Sequence, residues 1–185
     1  MSTVDVRGRL LVATPAIEGG LFYRSVVYML DHDDEGAVGV IVNRPLDSGV
    51  DEVLPEWGDA VNAPGCLFSG GPVSTDAALA VGVIGTASLV PSGWRPTYGR
   101  VGLVDLTGPV PPQGTLQGLR VFAGYAGWGP GQLEEELDEG SWVVVDAEER
   151  DLLSATPELL WSSVLRRQDD DLRLMSTYPE DPTFN

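Results

Sequence analysis

The feature that most constrains this chain is a pair of apolar, β-branched runs separated by a short polar segment. The runs occupy residues 24–30 and 37–43, and the segment between them, His32–Gly36, is polar and ends in glycine. Runs of this kind are typical of buried strands, and a short polar loop ending in glycine joins antiparallel strands. The sequence therefore predicts a β-hairpin at the centre of an antiparallel sheet.

Further short apolar runs are stopped by glycine or proline and alternate with a few helix-like segments. They predict strands over 9–13, 66–69, 78–84, 100–106, 119–123 and 141–146, and short helices over 48–54, 132–137, 146–153 and 156–167. The last of these helices carries Trp161 on its apolar stripe, so we expect that side chain to be buried. With no internal repeat and no linker, the pattern predicts one α+β domain over residues 1–185, in which 172–185 form a surface tail.

The composition excludes several kinds of chemistry. The 28 acidic residues face only 11 basic ones, all of them arginine, and the net charge is −17. Such a chain is repelled by nucleic-acid phosphates and anionic lipid, so we expect no direct nucleic-acid binding. The absence of lysine removes P-loop and Schiff-base chemistry. One cysteine and one histidine exclude Cys-rich zinc sites and two-histidine metal motifs, so we expect no metal and no cofactor.

Neither of the uncharged apolar stretches fits a targeting or membrane segment. The run Leu10–Ala13 is too short for a signal-peptide core. Residues 77–94 carry no charge, but Gly82, Gly85 and Pro91 interrupt them, which indicates a buried strand followed by a loop. We therefore expect a cytoplasmic protein that does not associate with membranes.

Acidic residues are concentrated near the C-terminal end. Residues 131–171 hold 13 acids and three arginines. Solvated helix faces are the simpler interpretation, and a docking face for a basic protein partner is the alternative.

Three glycine-bearing corners form the best candidate for a binding site. They are Asn43–Pro45, Ser69–Val73 and Gly124–Glu134. Glycines there allow positive φ and close approach of another backbone, and strand ends leave N–H groups that an anion can use. The same residues could instead serve only as tight strand exits.

Arg24 and Arg44 lie at the outer ends of the predicted hairpin. We expect them to approach one another there, and two positive charges so close need an anion between them. Glu18 or a bound ligand could supply it, and two aromatic side chains of the third corner could wall the pocket. The predicted site for a small anion comprises Arg24, Asn43, Arg44, Gly70, Gly71, Tyr125 and Trp128.

The candidate catalytic residues do not lie in a recognised catalytic motif. His32 is the only imidazole base, it stands among aspartates in the hairpin loop, and we expect it to be solvated. Ser25, Ser69 and Cys66 are candidate nucleophiles, but none lies in a G-x-S-x-G elbow. A hydrolase-like enzyme using His32 with Ser25 remains the enzymatic alternative.

Taken together, these segments resemble the YqgE/AlgH family, in the family's order and over most of the chain. The matching pieces are Gly8–Pro15, Phe22–Val27, Gly36–Pro45, Gly70–Val73 and Gly124–Glu134. The resemblance implies a compact α+β fold with a small barrel-like β-structure flanked by helices, in a bacterial protein. It supplies no catalytic residue set, and some members are labelled transcriptional regulators. The chain lacks the histidine that often follows the Gly-Gly-Pro-Val strand, since Ala80–Gly82 stand there.

Three functions are compatible with these observations. The first is a non-enzymatic binding or regulatory protein that acts through an unidentified small anion or protein partner, and it agrees with the lack of a coherent catalytic set. The second is the His32–Ser25 enzyme. The third, direct DNA binding, would consume nearly every arginine of the chain in phosphate contacts.

Overall fold

A computed structural model describes residues 5–86 and 90–179. Within these residues the chain forms ten β-strands, most of them short and rich in β-branched residues. The strands are β1 (Arg9–Ala13), β2 (Val26–Asp33), β3 (Gly36–Ile41), β4 (Pro45–Gly49), β5 (Cys66–Ser69), β6 (Val73–Ile84), β7 (Arg95–Tyr98), β8 (Val101–Val104), β9 (Leu116–Trp128) and β10 (Trp142–Asp146). Every predicted strand is present, and β4 and β7 are additional.

The helices are short and lie mainly between strands and at the C-terminal end. They are α1 (Val50–Val53), α2 (Gln132–Asp138), α3 (Glu149–Leu152), α4 (Leu160–Arg166) and α5 (Asp170–Met175), with single 3₁₀ segments at Pro55–Ala60 and Pro157–Leu159. Among the described residues, none of the helices has the length and hydropathy of a membrane-spanning helix.

The strands form one curled sheet. Its order is β10-β1-β2-β3-β9-β6-β8-β7, with β5 attached to β9 and β4 to β5. The sheet bends far enough for its terminal strand β7 to contact β2. Because all its pairs except β5–β9 are antiparallel, the predicted mainly antiparallel, barrel-like α+β class is confirmed as a half-barrel.

Strand alternation divides the apolar residues between the two faces of this sheet. On β1, Leu10 and Val12 face one way and Leu11 and Ala13 the other. The first face is shared by both halves of the sheet and is also the face on which the C-terminal helices pack, so it is the inner face. The outer face carries two separate clusters, one under α2 and the other under α1.

The predicted hairpin is confirmed, but its loop is shorter than the sequence suggested. Strand β2 continues to Asp33, which pairs with Gly36, so only two residues form the turn. The prediction that His32 is a solvated loop residue is therefore wrong. Its side chain is only 4% exposed, because the continuing strand carries it against the start of the chain.

Strand β9 also differs from expectation, since the Gly124–Trp128 corner is part of one 13-residue strand. Phe122 and Tyr125 both join the inner cluster although they are three residues apart. Gly124 lies between them at φ +76, and a Cβ there would meet the carbonyl oxygen of Gly71 at 2.5 Å. The left-handed glycine interrupts the alternation and turns Tyr125 inward.

The C-terminal helices cover the inner face. Trp161 on α4 is 4% exposed, and its Nε1–H donates to the carbonyl of Ala13 at 2.8 Å, as its apolar stripe predicted. Residues 170–175 form α5, whose Leu172 and Met175 pack against the inner cluster. The segment predicted as a surface tail thus begins as a docked helix, and residues 180–185 lie outside the described residues.

Candidate functional site

A groove opens where the curled sheet fails to close. Its cavity of about 560 Å³ lies between β7 on one side and β2 with β3 on the other. Strand β7 contacts β2 here without pairing to it, and the edge of the inner apolar core is exposed between them. We call this cavity the seam groove.

The floor of the seam groove is apolar and comes from three different strands. Leu79 of β6, Leu103 of β8 and Tyr125 of β9 line it, all of them partly buried at the edge of the inner cluster. Leu30 and Val38 continue this surface up the opposite wall. Four of these five side chains remain partly accessible and can therefore bury an apolar ligand, whereas Leu30 is already buried.

Three charged side chains stand around this floor: Arg7 before β1, Arg95 on β7 and Asp31 on β2. Arg7 makes one ion pair, with Asp5 at 3.8 Å, and both side chains are exposed, so the pair is weak. Within residues 5–86 and 90–179, Arg95 and Asp31 form no ion pair. The groove thus presents charges of both signs that do not neutralise one another.

Next to the seam groove, an aromatic contact joins β7 to the segment before β1. The ring of Tyr98 on β7 lies against Gly8, where a Cβ would stand 2.3 Å from the ring. Gly8 also has φ +78, so glycine is required there for two reasons.

Tyr28 lines a small pocket together with Gly8 and Tyr98. Burial, followed by the charges of Tyr98 and Glu149, raises the pKa of its hydroxyl to about 12. Tyr28 therefore stays neutral at physiological pH.

The two arginines of the predicted anion site lie beyond the last registered pair of the hairpin, Val27–Ile41, and the neighbouring Asn43 bonds to the Arg24 carbonyl. Their guanidinium groups are engaged by protein. Arg44 donates to the carbonyls of Tyr23 and Asn43, and burial lowers its pKa. Arg24 donates to the carbonyl of Tyr178 and stacks at 4.3 Å on the Trp161 ring. Among the described residues no carboxylate pairs with either arginine, and Glu18 is not between them.

Asn43 acts in the same corner as a backbone clamp. Its side-chain oxygen accepts from Val26 N–H at 2.9 Å, and its Nδ2 donates to the Arg24 carbonyl at 2.9 Å. These bonds hold Arg24 at φ +54, a left-handed backbone that is uncommon for a residue other than glycine. The buried amide is thus occupied with fixing the strand ends.

The glycines and aromatics of the predicted site separate into two groups. Gly70 and Gly71 lie against the backbone of residues 122–126, as the close-approach interpretation predicted. Tyr125 points to the inner face and the seam groove, but Trp128 belongs to the outer cluster beneath α2, where its Nε1–H donates to Glu136 at 3.1 Å. The prediction that the two aromatics wall one pocket is wrong, because they lie on opposite faces of β9.

The two catalytic candidates lie at opposite ends of β2. Ser25 is fully buried and its hydroxyl donates to the Phe22 carbonyl at 2.8 Å. His32 contacts Glu134 through Nε2 at 2.8 Å, and its Nδ1 accepts from Val6 N–H at 3.3 Å. Seven strand residues place them about 20 Å apart, so the structure does not bring them together.

A buried arginine was not anticipated from the sequence. Arg120 on β9 is 1% exposed, and its guanidinium donates to the carbonyls of Ala63, Leu152 and Ser154. Burial lowers its pKa to about 10. It stacks at 4.3 Å on Phe68 and ties three segments to the inner face, which is a structural role.

The sequence analysis also missed the charged residues of the seam groove. Arg7, Asp31 and Arg95 are widely separated along the chain, and only the curl of the sheet brings them to one cavity. The available signal was the position of Arg95 next to Pro96, which is typical of an edge strand. Tyr125 is the one predicted site residue that lines this groove.

Comparison with known proteins identifies the family. The AlgH-like family model, DUF179, matches residues 10–173. A UPF0301 protein of Streptomyces avermitilis is 54% identical over 187 residues, which cover 98% of this chain and 96% of the relative. A UPF0301 protein of Streptomyces coelicolor is also 54% identical, over 185 residues, with the same coverage of both chains.

Two solved structures share the fold. A crystal structure of a Corynebacterium diphtheriae protein superimposes with a TM-score of 0.88 and 32% identity, covering 96% of this chain and 95% of that chain. The solution structure of the AlgH protein of Pseudomonas aeruginosa gives a TM-score of 0.69 and 26% identity over 96% of each chain. The family model and the relatives each span most of the sequence, and the chain therefore belongs to the AlgH-like family.

Proposed function

We propose that this protein is a cytoplasmic, non-enzymatic binding protein that takes a small amphipathic anion into the seam groove. The observation that carries the proposal is the placement of Arg7 and Arg95 beside an accessible apolar floor. The chain has a net charge of −17, so two arginines outside strong ion pairs make the electrostatic potential of the groove more positive than that of the molecule as a whole. An anion with an apolar body would gain from both features.

The groove suits a ligand better than the predicted anion site does. At the Arg24–Arg44 corner the guanidinium groups already bond to carbonyls, so an anion would have to displace them. In the seam groove, Arg95 has no ion-pair partner among the described residues and Arg7 has only an exposed one. An anion there gains charge-assisted hydrogen bonds at little cost to the fold.

A fluorescent probe tests this proposal. Anilinonaphthalene sulfonate carries an anionic group on an apolar body, and N-phenylnaphthylamine is a comparable neutral probe. We expect the anionic probe to bind the native protein and the double variant Arg7→Gln, Arg95→Gln to weaken that binding about tenfold or more. Binding of the neutral probe should change little, because it depends on the apolar floor.

The matched control is Arg173→Gln, an exposed arginine on α5 away from the groove. It removes one positive charge without altering the cavity, and binding should be unchanged. Equal loss in the control and the groove variant would show a general charge effect and contradict the proposal. So would unchanged binding of the anionic probe in the double variant.

Any regulatory effect should act through the ligand rather than through DNA. With 28 acids against 11 arginines, the chain carries a net charge of −17, which repels nucleic-acid phosphates. We expect no gel shift with random duplex at micromolar protein and about 0.15 M salt. Salt-sensitive retention of the duplex would contradict this expectation.

A further inference from the structure

Resting on the proposed function, we infer that the ligand of the seam groove is a zwitterion with an apolar side group, of the apolar α-amino acid class. Asp31 would hold its ammonium group, Arg7 and Arg95 its carboxylate, and the apolar floor its side group. The inference goes beyond a generic anion, because it assigns a role to the one acidic side chain of the groove.

The charges of the groove are arranged for a ligand rather than for each other. Asp31 shares the cavity with Arg7 and Arg95, yet it forms an ion pair with neither of them. Since Asp31 and Arg95 form no ion pair among the described residues and Arg7 forms only an exposed one with Asp5, both signs of charge are available to a ligand. A ligand bearing both signs can satisfy them together, whereas a simple anion would also meet the repulsion of Asp31.

The Asp31 carboxylate is partly oriented by its own strand. Its Oδ1 accepts from the backbone N–H of His32 at 2.9 Å. This bond restrains the side chain, and Oδ2 makes no hydrogen bond within the described residues, so it can accept one from an ammonium. The bulge between Met29 and Asp31 places the aspartate on the groove wall directly after the buried Leu30.

The net charge of the three side chains is one positive charge, which favours a carboxylate over a phosphate dianion. An amino-acid zwitterion has one carboxylate and one ammonium, and these match the two kinds of side chain present. Its apolar side group can lie on Leu79, Leu103 and Tyr125. A cavity of about 560 Å³ is within the range of small-molecule pockets and admits a side group as large as an aromatic ring.

The test compares three probes of the same apolar body by titration calorimetry: L-phenylalanine, phenylpropionate without the ammonium, and phenethylamine without the carboxylate. We expect L-phenylalanine to bind at least about tenfold more tightly than either of the others, because each lacks one charge-assisted contact.

Two variants assign the difference to Asp31. In Asp31→Asn, L-phenylalanine should weaken about tenfold, while phenylpropionate should bind as well as before or more tightly. The matched control Asp138→Asn, on the exposed face of α2, should leave all three probes unchanged.

The outcomes separate this inference from the proposed function. If phenylpropionate binds as tightly as L-phenylalanine and Asp31→Asn affects neither, the zwitterion is overturned while the amphipathic-anion function stands. If none of the three probes binds although anilinonaphthalene sulfonate does, the zwitterion is again overturned. If the sulfonate fails as well, both statements fail.

Discussion

The Arg24–Arg44 corner and the seam groove differ in whether the protein itself satisfies the guanidinium groups of their arginines. Each holds two arginines in a strongly acidic chain, without a strong ion pair among the described residues. In the corner, backbone carbonyls and the Trp161 ring satisfy the guanidinium groups, which makes them part of the fold. In the groove, Arg7 and Arg95 stand at an unclosed edge and remain available. An arginine therefore indicates a binding site only where the surrounding backbone has not already used it.

The largest expected effect is in the corner. Trp161→Ala removes a buried ring, its hydrogen bond to Ala13 and the stack under Arg24. The free energy of unfolding should fall by about 3–5 kcal/mol. Urea denaturation measures the fall, and an unchanged midpoint would show that α4 does not contribute to the inner core.

The double variant Arg24→Gln, Arg44→Gln tests whether the corner is structural. We expect a loss of about 1–3 kcal/mol, since several carbonyls lose a charged donor. Binding of anilinonaphthalene sulfonate should be retained.

The groove variant Arg7→Gln, Arg95→Gln should lose binding of anilinonaphthalene sulfonate and change the free energy of unfolding by less than about 0.5 kcal/mol. A corner variant that kept its stability and lost the probe would reverse the comparison.

A smaller effect is expected at the contact between Gly8 and the Tyr98 ring. Gly8→Ala forces a Cβ into a left-handed position and against the Tyr98 ring. Stability should fall by about 1–2 kcal/mol from backbone strain. Combining it with Tyr98→Ala removes the clash, so the two changes together should cost less than the sum of their separate effects. Strict additivity, measured by urea denaturation, would show that the contact does not hold β7 against β1.

The smallest effect is a pH dependence outside both regions. The hydrogen bond from His32 holds the pKa of the Glu134 carboxyl below its usual range. A carboxyl with a depressed folded-state pKa stabilises the fold above its unfolded pKa of about 4.3, and this contribution is lost as the pH falls through the folded value. Glu134→Gln should therefore flatten the stability profile in that acidic range. Urea titrations at several pH values check this, with Glu139→Gln as the control.

The hairpin shows which structural features a local sequence pattern can predict and which it cannot. Two β-branched runs around a polar Gly-ending segment predicted β2 and β3, and the antiparallel register confirms them. The same pattern could not place His32, because burial of its side chain depends on Val6 and Glu134, which are distant in sequence. At Gly70, Gly71 and Gly124 the predicted close backbone approach is present, and it depends on neighbouring strands.

The sequence by itself determined the antiparallel α+β class, most of the strands and the docking of Trp161, because alternation and short-range periodicity encode which residues face a core. Only the tertiary structure decided where a site exists. The curl brings Arg7, Asp31 and Arg95 to one edge, and the left-handed Gly124 turns Tyr125 toward them and away from Trp128. Those placements depend on long-range strand order and on one interruption of alternation, which no local pattern specifies.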